Sequence, residues 1–275
     1  MGQTQGLHYL MASDFDQTLS FNDSGVELAE ILGVRNFAQK VAGLARSNLI
    51  QQGGELAYLI RHDPEFRGVR REHLIEAGRR VHLKAGIREL VECLQSFPGH
   101  RFSFFVISAA PKDLVSAALE HLVPASHIFG TEFDHDPQTG EVRAILRVPA
   151  GYGKVAVLDE LAASTHVPME RMVYVGDGSS DVHVMLHVNH HDGFTIAVSE
   201  NPQLARIARC MVLSDSAFSV LVPVLQQMLG WRVGAIRTLF EGRGFSLEEW
   251  EHASLDRIRL SEARDPIEAR HRILS

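Results

Sequence analysis

Short apolar runs alternate with longer amphipathic segments over most of the chain, and each run stops at a glycine or a polar residue. Such runs are typical of strands that are buried on both faces of a parallel sheet. Strands that alternate with helices in this way predict an α/β fold with a doubly wound parallel sheet. The predicted core strands span residues 7–13, 102–107, 172–175, 194–198 and 211–213.

One long block between the first two apolar runs shows only helical periodicity. Because residues 36–81 carry no strand pattern, we expect residues 20–82 to form a helical cap inserted into the fold. The catalytic core would then consist of residues 1–19 and 83–230. Ser24 and Glu27 have the spacing of a capping box, which predicts the start of the first cap helix, and Gly33 predicts its end.

Two further segments depart from the strand–helix alternation. Residues 128–133 and 141–146 flank a turn that contains Gly140, which predicts a β-hairpin. From residue 231 onward apolar positions become sparse, and Ser246 and Glu249 again have capping-box spacing. We expect residues 231–275 to form a helical extension that packs on the core, or on a second subunit as a homodimer.

Composition narrows the class of protein. Hydrophobic residues make up 45% of the 275 positions, which is enough for a sizeable core. A net charge of −7 argues against a dedicated nucleic-acid binder. No apolar run approaches the roughly 20 residues needed to span a bilayer, and residues 1–6 lack the features of a signal peptide. We therefore expect a cytoplasmic protein without membrane contacts, whose two cysteines, Cys93 and Cys210, are buried free thiols.

The candidate chemistry begins where the first strand ends. Asp14 and Asp16 stand two positions apart on an extended chain, so both side chains project on the same side. One carboxylate can then attack a substrate while the other handles a proton. Two negative charges this close require a compensating cation, and Mg²⁺ is the usual partner of carboxylates that face phosphate.

Other strand ends and helix starts supply complementary groups. In open α/β sheets these positions share one edge, where ligands bind. The groups are Ser108, Lys154, Asp177 and Asp181. Together with Asp14 and Asp16 they describe phosphoryl transfer to an aspartate, which needs a nucleophilic carboxylate, a metal and donors that hold the transferring group.

This arrangement resembles the haloacid dehalogenase superfamily of aspartate-nucleophile phosphohydrolases. The matching motifs are Asp-Phe-Asp-Gln-Thr at 14–18, Val-Ile-Ser at 106–108, Gly-Lys at 153–154 and Gly-Asp-Gly-Ser-Ser-Asp at 176–181. They occur in the family's order, and the resemblance covers residues 7–215. The cap after the first motif and the hairpin before Lys154 are similar to the phosphoserine-phosphatase-like branch.

The resemblance implies a role for each matching residue. Asp14 would be the nucleophile that forms an aspartyl-phosphate, and Asp16 the general acid and base. Mg²⁺ would be held by Asp14, Asp177 and the backbone carbonyl of Asp16. The residues expected to bind or place the phosphate are Thr18, Ser108, Ala109 and Lys154, with Asp181 and Ser180 in support.

Departures from that branch bear on the substrate. Ala109 and Ala110 replace two glycines, Ser180 replaces an asparagine, and Asp23 replaces the glutamate that contacts the substrate amine. The position of the family's carboxylate-binding arginine falls near Leu59 in this chain. Arg61, two positions later, is our candidate for a cap residue that reaches the substrate. We expect a small phosphorylated metabolite, with phosphoserine not favoured over other small esters.

Three alternatives stay open at this point. The same fold could transfer the phosphoryl group to an acceptor other than water or cleave a carbon–halogen bond, although Asp16 argues against the dehalogenase. A non-catalytic binding protein that kept the fold is another alternative, and the presence of all the reactive residues argues against it. His183 and His187 have a spacing that could bind a second metal, but a surface helix is the simpler interpretation.

Overall fold

A seven-stranded sheet organises the computed structural model, which describes residues 6–47, 50–97, 99–246 and 261–262. The strand order is β4-β3-β2-β1-β5-β6-β7, and only β4 runs antiparallel to its neighbour. This sheet confirms the predicted α/β class. The strands are β1 (Leu7–Ser13), β2 (His100–Pro111), β3 (Ile128–His135), β4 (Val142–Arg147), β5 (Met172–Gly176), β6 (Phe194–Ala197) and β7 (Cys210–Met211).

Helices cover both faces of the sheet and fill the interval between β1 and β2. A 3₁₀ turn, Ala217–Val220, leads into α9, which continues as a π-helical turn, Val224–Met228. The helices are α1 (Ser24–Leu32), α2 (Phe37–Ser47), α3 (Glu55–His62), α4 (Arg71–Arg80), α5 (Ile87–Gln95), α6 (Lys112–Ala118), α7 (Tyr152–Thr165), α8 (Val182–His190), α9 (Leu221–Pro223) and α10 (Val233–Glu241). None of the helices in the described ranges is long and apolar enough to cross a bilayer.

The central strand β1 determines where the polar strand ends meet. It pairs in parallel with β2 on one side and with β5 on the other, with Ser13 opposite Val106 and Val175. Leu10 and Met11 are fully buried on opposite faces, because successive side chains of a strand point to opposite sides. The three parallel strands therefore deliver the residues that follow them to one edge.

The segment between β1 and β2 is helical, as the sequence predicts. It contains α1 to α5, of which α1 to α4 lie in the predicted cap, and no strand occurs in its described residues. The first cap helix begins differently from the prediction, because Asp23 rather than Ser24 is the N-cap. The Asp23 carboxylate accepts a hydrogen bond from the Gly25 N–H at 2.7 Å. Gly33 ends the helix in a left-handed conformation, as expected.

Strand β2 extends further than its apolar pattern indicates. The prediction ended it at residue 107, but extended chain continues to Pro111, which pairs with Thr131 of β3 after a shift in register. The Thr131 hydroxyl donates to the Ala109 carbonyl at 2.6 Å. Side chain–backbone bonding of this kind carries the strand past the point where its sequence turns polar. Strands β3 and β4 form the predicted hairpin.

The C-terminal extension is only partly as expected. Helix α10 is present and buries Ile236 and Phe240 against the core. The prediction that a second helix starts at Ser246 is wrong at that residue, because Phe245–Ser246 is a short strand that pairs antiparallel with Ser261–Glu262. The rest of that predicted helix lies outside the described residues. Cys93 and Cys210 are buried and form no disulfide, as predicted.

Helix α4 crosses α6 at a distance that depends on a glycine. A Cβ added to Gly78 would lie 2.2 Å from the Leu114 carbonyl oxygen, whereas a Cβ at Gly43 in α2 would meet no atom within 4 Å. We expect Gly78→Ala to lower the free energy of unfolding by about 1–3 kcal/mol through overpacking. Gly43→Ala, the matched control, should raise it by about 0.5–1 kcal/mol. Urea denaturation measures both values, and equal stability of the two variants would refute this account of the α4–α6 contact.

Candidate active site

Buried carboxylates gather at the carboxyl ends of β1 and β5. Asp14 follows β1 and is anchored by a hydrogen bond from its N–H to the Val175 carbonyl at 2.9 Å. Asp177 follows β5, and Asp181 ends the next turn of chain. One carboxylate oxygen from each of Asp14, Asp177 and Asp181 lies within 4.8 Å of the others. The sheet thus creates a concentration of negative charge that requires compensation.

Lys154 provides part of that compensation. It stands in the first turn of α7 and is fully buried, with Nζ 2.7 Å from Asp14 Oδ2 and 2.7 Å from Asp181 Oδ1. Burial alone would lower the pKa of this ammonium, but the two adjacent carboxylates raise it above its ordinary value. Lys154 therefore stays charged and holds Asp14 and Asp181 at a fixed separation.

Asp181 connects the lysine to the loop after β5. Its Oδ1 accepts from Lys154 and from the Tyr174 hydroxyl, at 2.7 Å each. Its Oδ2 accepts from the N–H groups of Asp177 and Gly178, at 3.1 Å each. All of these donors belong to the protein, so Asp181 acts as the support on which Lys154 and Asp177 are placed.

The sequence analysis missed Tyr174, which appeared only as part of an apolar run. Its side chain is fully buried in β5, and a buried tyrosine hydroxyl normally has a hydrogen-bond partner. The signal available in the sequence was therefore a tyrosine within a strand that is otherwise entirely apolar. That signal indicates a polar group beneath the strand without identifying it.

Asp14 and Asp177 titrate close to neutrality. Burial raises the pKa of Asp14 to about 6, although the Lys154 ammonium opposes the shift. Burial and the neighbouring Asp14 and Asp181 charges raise the pKa of Asp177 to about 7. The Phe15 N–H donates to Asp14 at 2.7 Å, and the Thr18 hydroxyl donates to Asp177 at 3.2 Å. The positive charge of Lys154 therefore does not fully compensate the negative charges of Asp14, Asp177 and Asp181.

Asp16 has a different environment from Asp14. Its two carboxylate oxygens accept from the Ser24 N–H at 2.8 Å and from the Ser24 hydroxyl at 2.9 Å. Burial, together with the Asp23 carboxylate, raises the pKa of Asp16 well above its ordinary value. Asp16 is therefore the carboxyl of the pair that retains a proton, and Asp14 is the more readily ionised one.

A cavity of about 320 Å³ opens above these acids. The core contributes Asp14, Asp16 and Asp177 to its floor. Its roof comes from the segment between β1 and β2, which includes Gly53 in a left-handed conformation, with φ of 90°. A Cβ added there would lie 3.1 Å from Ser180 Cβ and 3.4 Å from Ala109 Cβ. Small residues on both sides thus allow the cap to rest directly on the core.

Most of the predicted site residues meet around this cavity or directly beneath it. The cavity floor is supported by Lys154, which contacts Asp14, and by Thr18 and Asp181, which both bond Asp177. The predicted residues that line the cavity itself are Asp14, Asp16, Asp23, Ser108, Ala109, Asp177 and Ser180. Ser108 is buried, and its Oγ accepts from the Ala110 N–H at 3.2 Å. A larger cavity of about 740 Å³ lies between α4, α5 and α6, but none of the buried acids lines it.

Arg61 is the predicted site residue that the structure places elsewhere. Leu59 and Ile60 of α3 are buried, and the following residue is turned outward. Arg61 is exposed and lines a separate cavity beside Arg67 and Glu141. The prediction that it reaches the substrate is therefore wrong for this arrangement. Glu55, at the start of the same helix, lines the acidic cavity instead and was missed by the sequence analysis.

The two histidines with metal-ligand spacing contact different partners. The His183 ring stacks on Tyr152 with a centroid distance of 4.1 Å, whereas His187 Nε2 lies 2.9 Å from Asp159 Oδ1. Within the part of the chain that the structure describes, the acidic group at 14, 177 and 181 is the only set of three side chains that could hold a metal ion.

The acidic group fits Mg²⁺ by the chemistry of its donors. All three side chains offer carboxylate oxygens, the ligand type that Mg²⁺ prefers. Asp181 is already saturated by four protein donors. Asp14 and Asp177 are therefore the side chains that would hold the ion.

Comparison with known proteins agrees with this arrangement. The sequence pattern of the haloacid dehalogenase-like hydrolases matches residues 11–186. No curated protein sequence matches the chain.

Several solved structures share the fold. A substrate-bound phosphoserine phosphatase is 20% identical over 80% of this chain and 98% of its own, with a TM-score of 0.62. A phospho-aspartyl intermediate analogue of phosphoserine phosphatase gives 20% identity, the same coverage and a TM-score of 0.61. A probable phosphoserine phosphatase from Vibrio cholerae is 19% identical over 83% of this chain and 68% of its own, with a TM-score of 0.59.

The raised pKa values of Asp14 and Asp177 predict how metal-ion binding depends on pH. A carboxyl group with a raised pKa in the folded protein stabilises the fold fully when the pH is below its unfolded pKa, which is 3.8 here. This stabilisation is lost as the pH rises through the folded pKa, about 6 for Asp14 and about 7 for Asp177. Mg²⁺ competes with these protons, so its apparent affinity should rise with pH below neutrality, by about tenfold per pH unit for each proton that it displaces. Thermal unfolding with and without MgCl₂ should show a larger increase in Tm at about pH 8 than at about pH 5. Asp177→Asn should abolish the difference, and an equal increase at both pH values in the parent protein would contradict the prediction.

Tyr174→Phe tests the support beneath Asp181. Losing a buried hydrogen bond to a charged group should lower the free energy of unfolding by about 1.5–3 kcal/mol. Tyr9→Phe is the matched control, because Tyr9 is a largely buried strand residue whose hydroxyl has no hydrogen bond to any described residue. The control should change stability by less than about 0.5 kcal/mol. Similar losses in the two variants, measured by urea denaturation, would show that the contact with Asp181 contributes little.

Proposed function

The chain belongs to the haloacid dehalogenase-like hydrolases, and from that premise we propose that it is a Mg²⁺-dependent phosphatase that hydrolyses a small phosphomonoester through an aspartyl-phosphate. The observation that carries the proposal is the unlike pair of aspartates after β1. Asp14 is paired with Lys154, while Asp16 is half-buried, held by Ser24 and biased toward its protonated form. Two neighbouring carboxyls with separated pKa values are what an acid and a nucleophile require.

Asp14 is the nucleophile in this proposal. Its Oδ1 accepts from the Phe15 N–H and its Oδ2 contacts Lys154, so the carboxylate has a fixed orientation at the floor of the cavity. A carboxylate oxygen attacks phosphorus, a phosphorus–oxygen bond to the leaving alcohol breaks, and an aspartyl-phosphate forms. Fixing the attacking group in advance removes part of the entropic cost of the reaction.

Asp16 manages the proton in both steps. It donates its proton to the departing alkoxide, then accepts a proton from the water that attacks the aspartyl-phosphate. That second attack releases inorganic phosphate and restores Asp14. The raised pKa of Asp16 suits the first step, and its two hydrogen bonds from Ser24 stabilise the carboxylate needed for the second.

Ser108 and Lys154 bind the transferring group. The Ser108 oxygen already accepts from the Ala110 N–H, which leaves its own hydrogen available to donate to a phosphoryl oxygen. Lys154 has three donor hydrogens and two carboxylate partners, so one hydrogen remains for the phosphate. When bound by Asp14 and Asp177, Mg²⁺ would supply further neutralisation of phosphoryl charge.

The roof over the cavity favours a small substrate. A volume of about 320 Å³ bounded by cap residues accommodates a short phosphoester, and proteins and nucleic acids should be poor substrates. Transfer to an acceptor other than water would need a second alcohol to occupy the place that the first alcohol leaves above Asp14. An assay with added alcohols would detect such transfer as a new phosphoester.

Two matched substitutions test the roles of the aspartates. Asp14→Asn removes the nucleophile and should lower kcat with 4-nitrophenyl phosphate and Mg²⁺ by at least about 10³-fold. Asp16→Asn should retain a burst of 4-nitrophenolate, about one equivalent per enzyme, because this leaving group needs little protonation. The phospho-enzyme should then persist, and its mass can be measured directly. Retention of more than about a tenth of the parent rate in Asp14→Asn would remove Asp14 as the nucleophile.

A further inference from the structure

We propose that the preferred substrate is the phosphate ester of a small amino alcohol, which carries an ammonium group and no carboxylate, and that Glu55 recognises the positive charge. This inference rests on the proposed function and specifies the leaving group of that reaction. It follows from the residues that the cap contributes to the cavity, since the residues around Asp14 contact only phosphate and metal.

The cap side of the cavity carries negative charge only. Its two ionisable residues are Asp23 and Glu55, and no lysine or arginine is among the described residues that line the cavity. A substrate carboxylate would therefore lie near two acids without a cation to bind it, which like-charge repulsion makes unfavourable. The only buried lysine nearby, Lys154, is directed to Asp14 and Asp181 on the core side.

Glu55 has an unused acceptor in a largely buried position. The residue is only 6% exposed, and its Oε2 accepts from the Gly53 N–H at 2.8 Å. Its Oε1 has no hydrogen bond or ion pair with any described residue, although the side chain lines the cavity. A carboxylate oxygen at the wall of the cavity can accept from a bound ligand, and an ammonium is the donor that complements its charge best.

The remaining cap residues suit the rest of such a molecule. Phe37, Val41 and Leu56 form apolar walls, which match the methylene groups between phosphate and ammonium. The Phe37 ring also offers a π face that attracts cations. Asp23 uses Oδ1 as the N-cap of α1, yet its charge still contributes to the negative potential of the cavity.

A purely structural role for Glu55 makes a different prediction. If the carboxylate served only to hold Gly53 against the core, replacing it would affect all substrates alike. An ammonium-binding role predicts a loss confined to cationic substrates. Glu55→Gln separates the two, because the amide oxygen can still accept from the Gly53 N–H while the charge is removed.

The experiment compares kcat/KM for 2-aminoethyl phosphate and 2-hydroxyethyl phosphate, which are nearly isosteric and differ in charge, with O-phosphoserine and 4-nitrophenyl phosphate as references. The parent enzyme should prefer the aminoethyl ester over the hydroxyethyl ester by at least about 10-fold, with O-phosphoserine below the aminoethyl ester. Glu55→Gln should reduce the rate on the aminoethyl ester about 10–100-fold and the rate on the hydroxyethyl ester less than about 2-fold. Glu30→Gln, an exposed glutamate on α1 outside the cavity, should change neither value.

Three results would overturn the inference while leaving the proposed function intact. They are equal losses on both esters in Glu55→Gln, a parent enzyme that hydrolyses the hydroxyethyl ester as fast as the aminoethyl ester, and O-phosphoserine as the best substrate. The comparison of esters needs only the parent enzyme, so the inference can be refuted even if the variant does not fold. A parent enzyme that hydrolyses none of the four esters with Mg²⁺ present would refute the proposed function itself, and this inference with it.

Discussion

The contact of one buried lysine with two buried carboxylates is the interaction on which the rest of the site depends. Lys154 Nζ lies 2.7 Å from both Asp14 and Asp181. Breaking such a contact by removing one partner leaves uncompensated charge inside the protein, at a cost of about 3–5 kcal/mol. The contact also links the end of β1, the start of α7 and the loop after β5, so it fixes their mutual positions.

The positions of the acids could be predicted because they depend on strand order and on little else. Asp14 and Asp177 come directly after apolar runs, and parallel strands place such residues at a common edge. The helical character of the cap was predictable for a similar reason, since periodicity is a local property. Local chemistry misled the prediction at Asp23, because either of two adjacent polar residues can serve as an N-cap.

Residues whose roles depend on the approach of distant segments were not predictable. Tyr174 has a polar partner only because the loop after β5 folds back beneath the strand. Arg61 and Glu55 lie on the same short helix, and the sequence does not show which of its faces meets the core. Strand β8 (Phe245–Ser246) pairs with β9 (Ser261–Glu262), which lies many residues further along the chain. A local capping-box pattern cannot reveal such a pairing.

The hydrogen bonds between Asp16 and Ser24 join the turn after β1 to the first helix of the cap. Asp16 belongs to the turn after β1, but both donors that hold its carboxyl group come from the first residue of the cap's first helix. A displacement of α1 away from the core would remove both hydrogen bonds at once. The environment of the Asp16 carboxyl group therefore depends on the position of α1, so a substitution that shifts this helix would change Asp16 without contacting it.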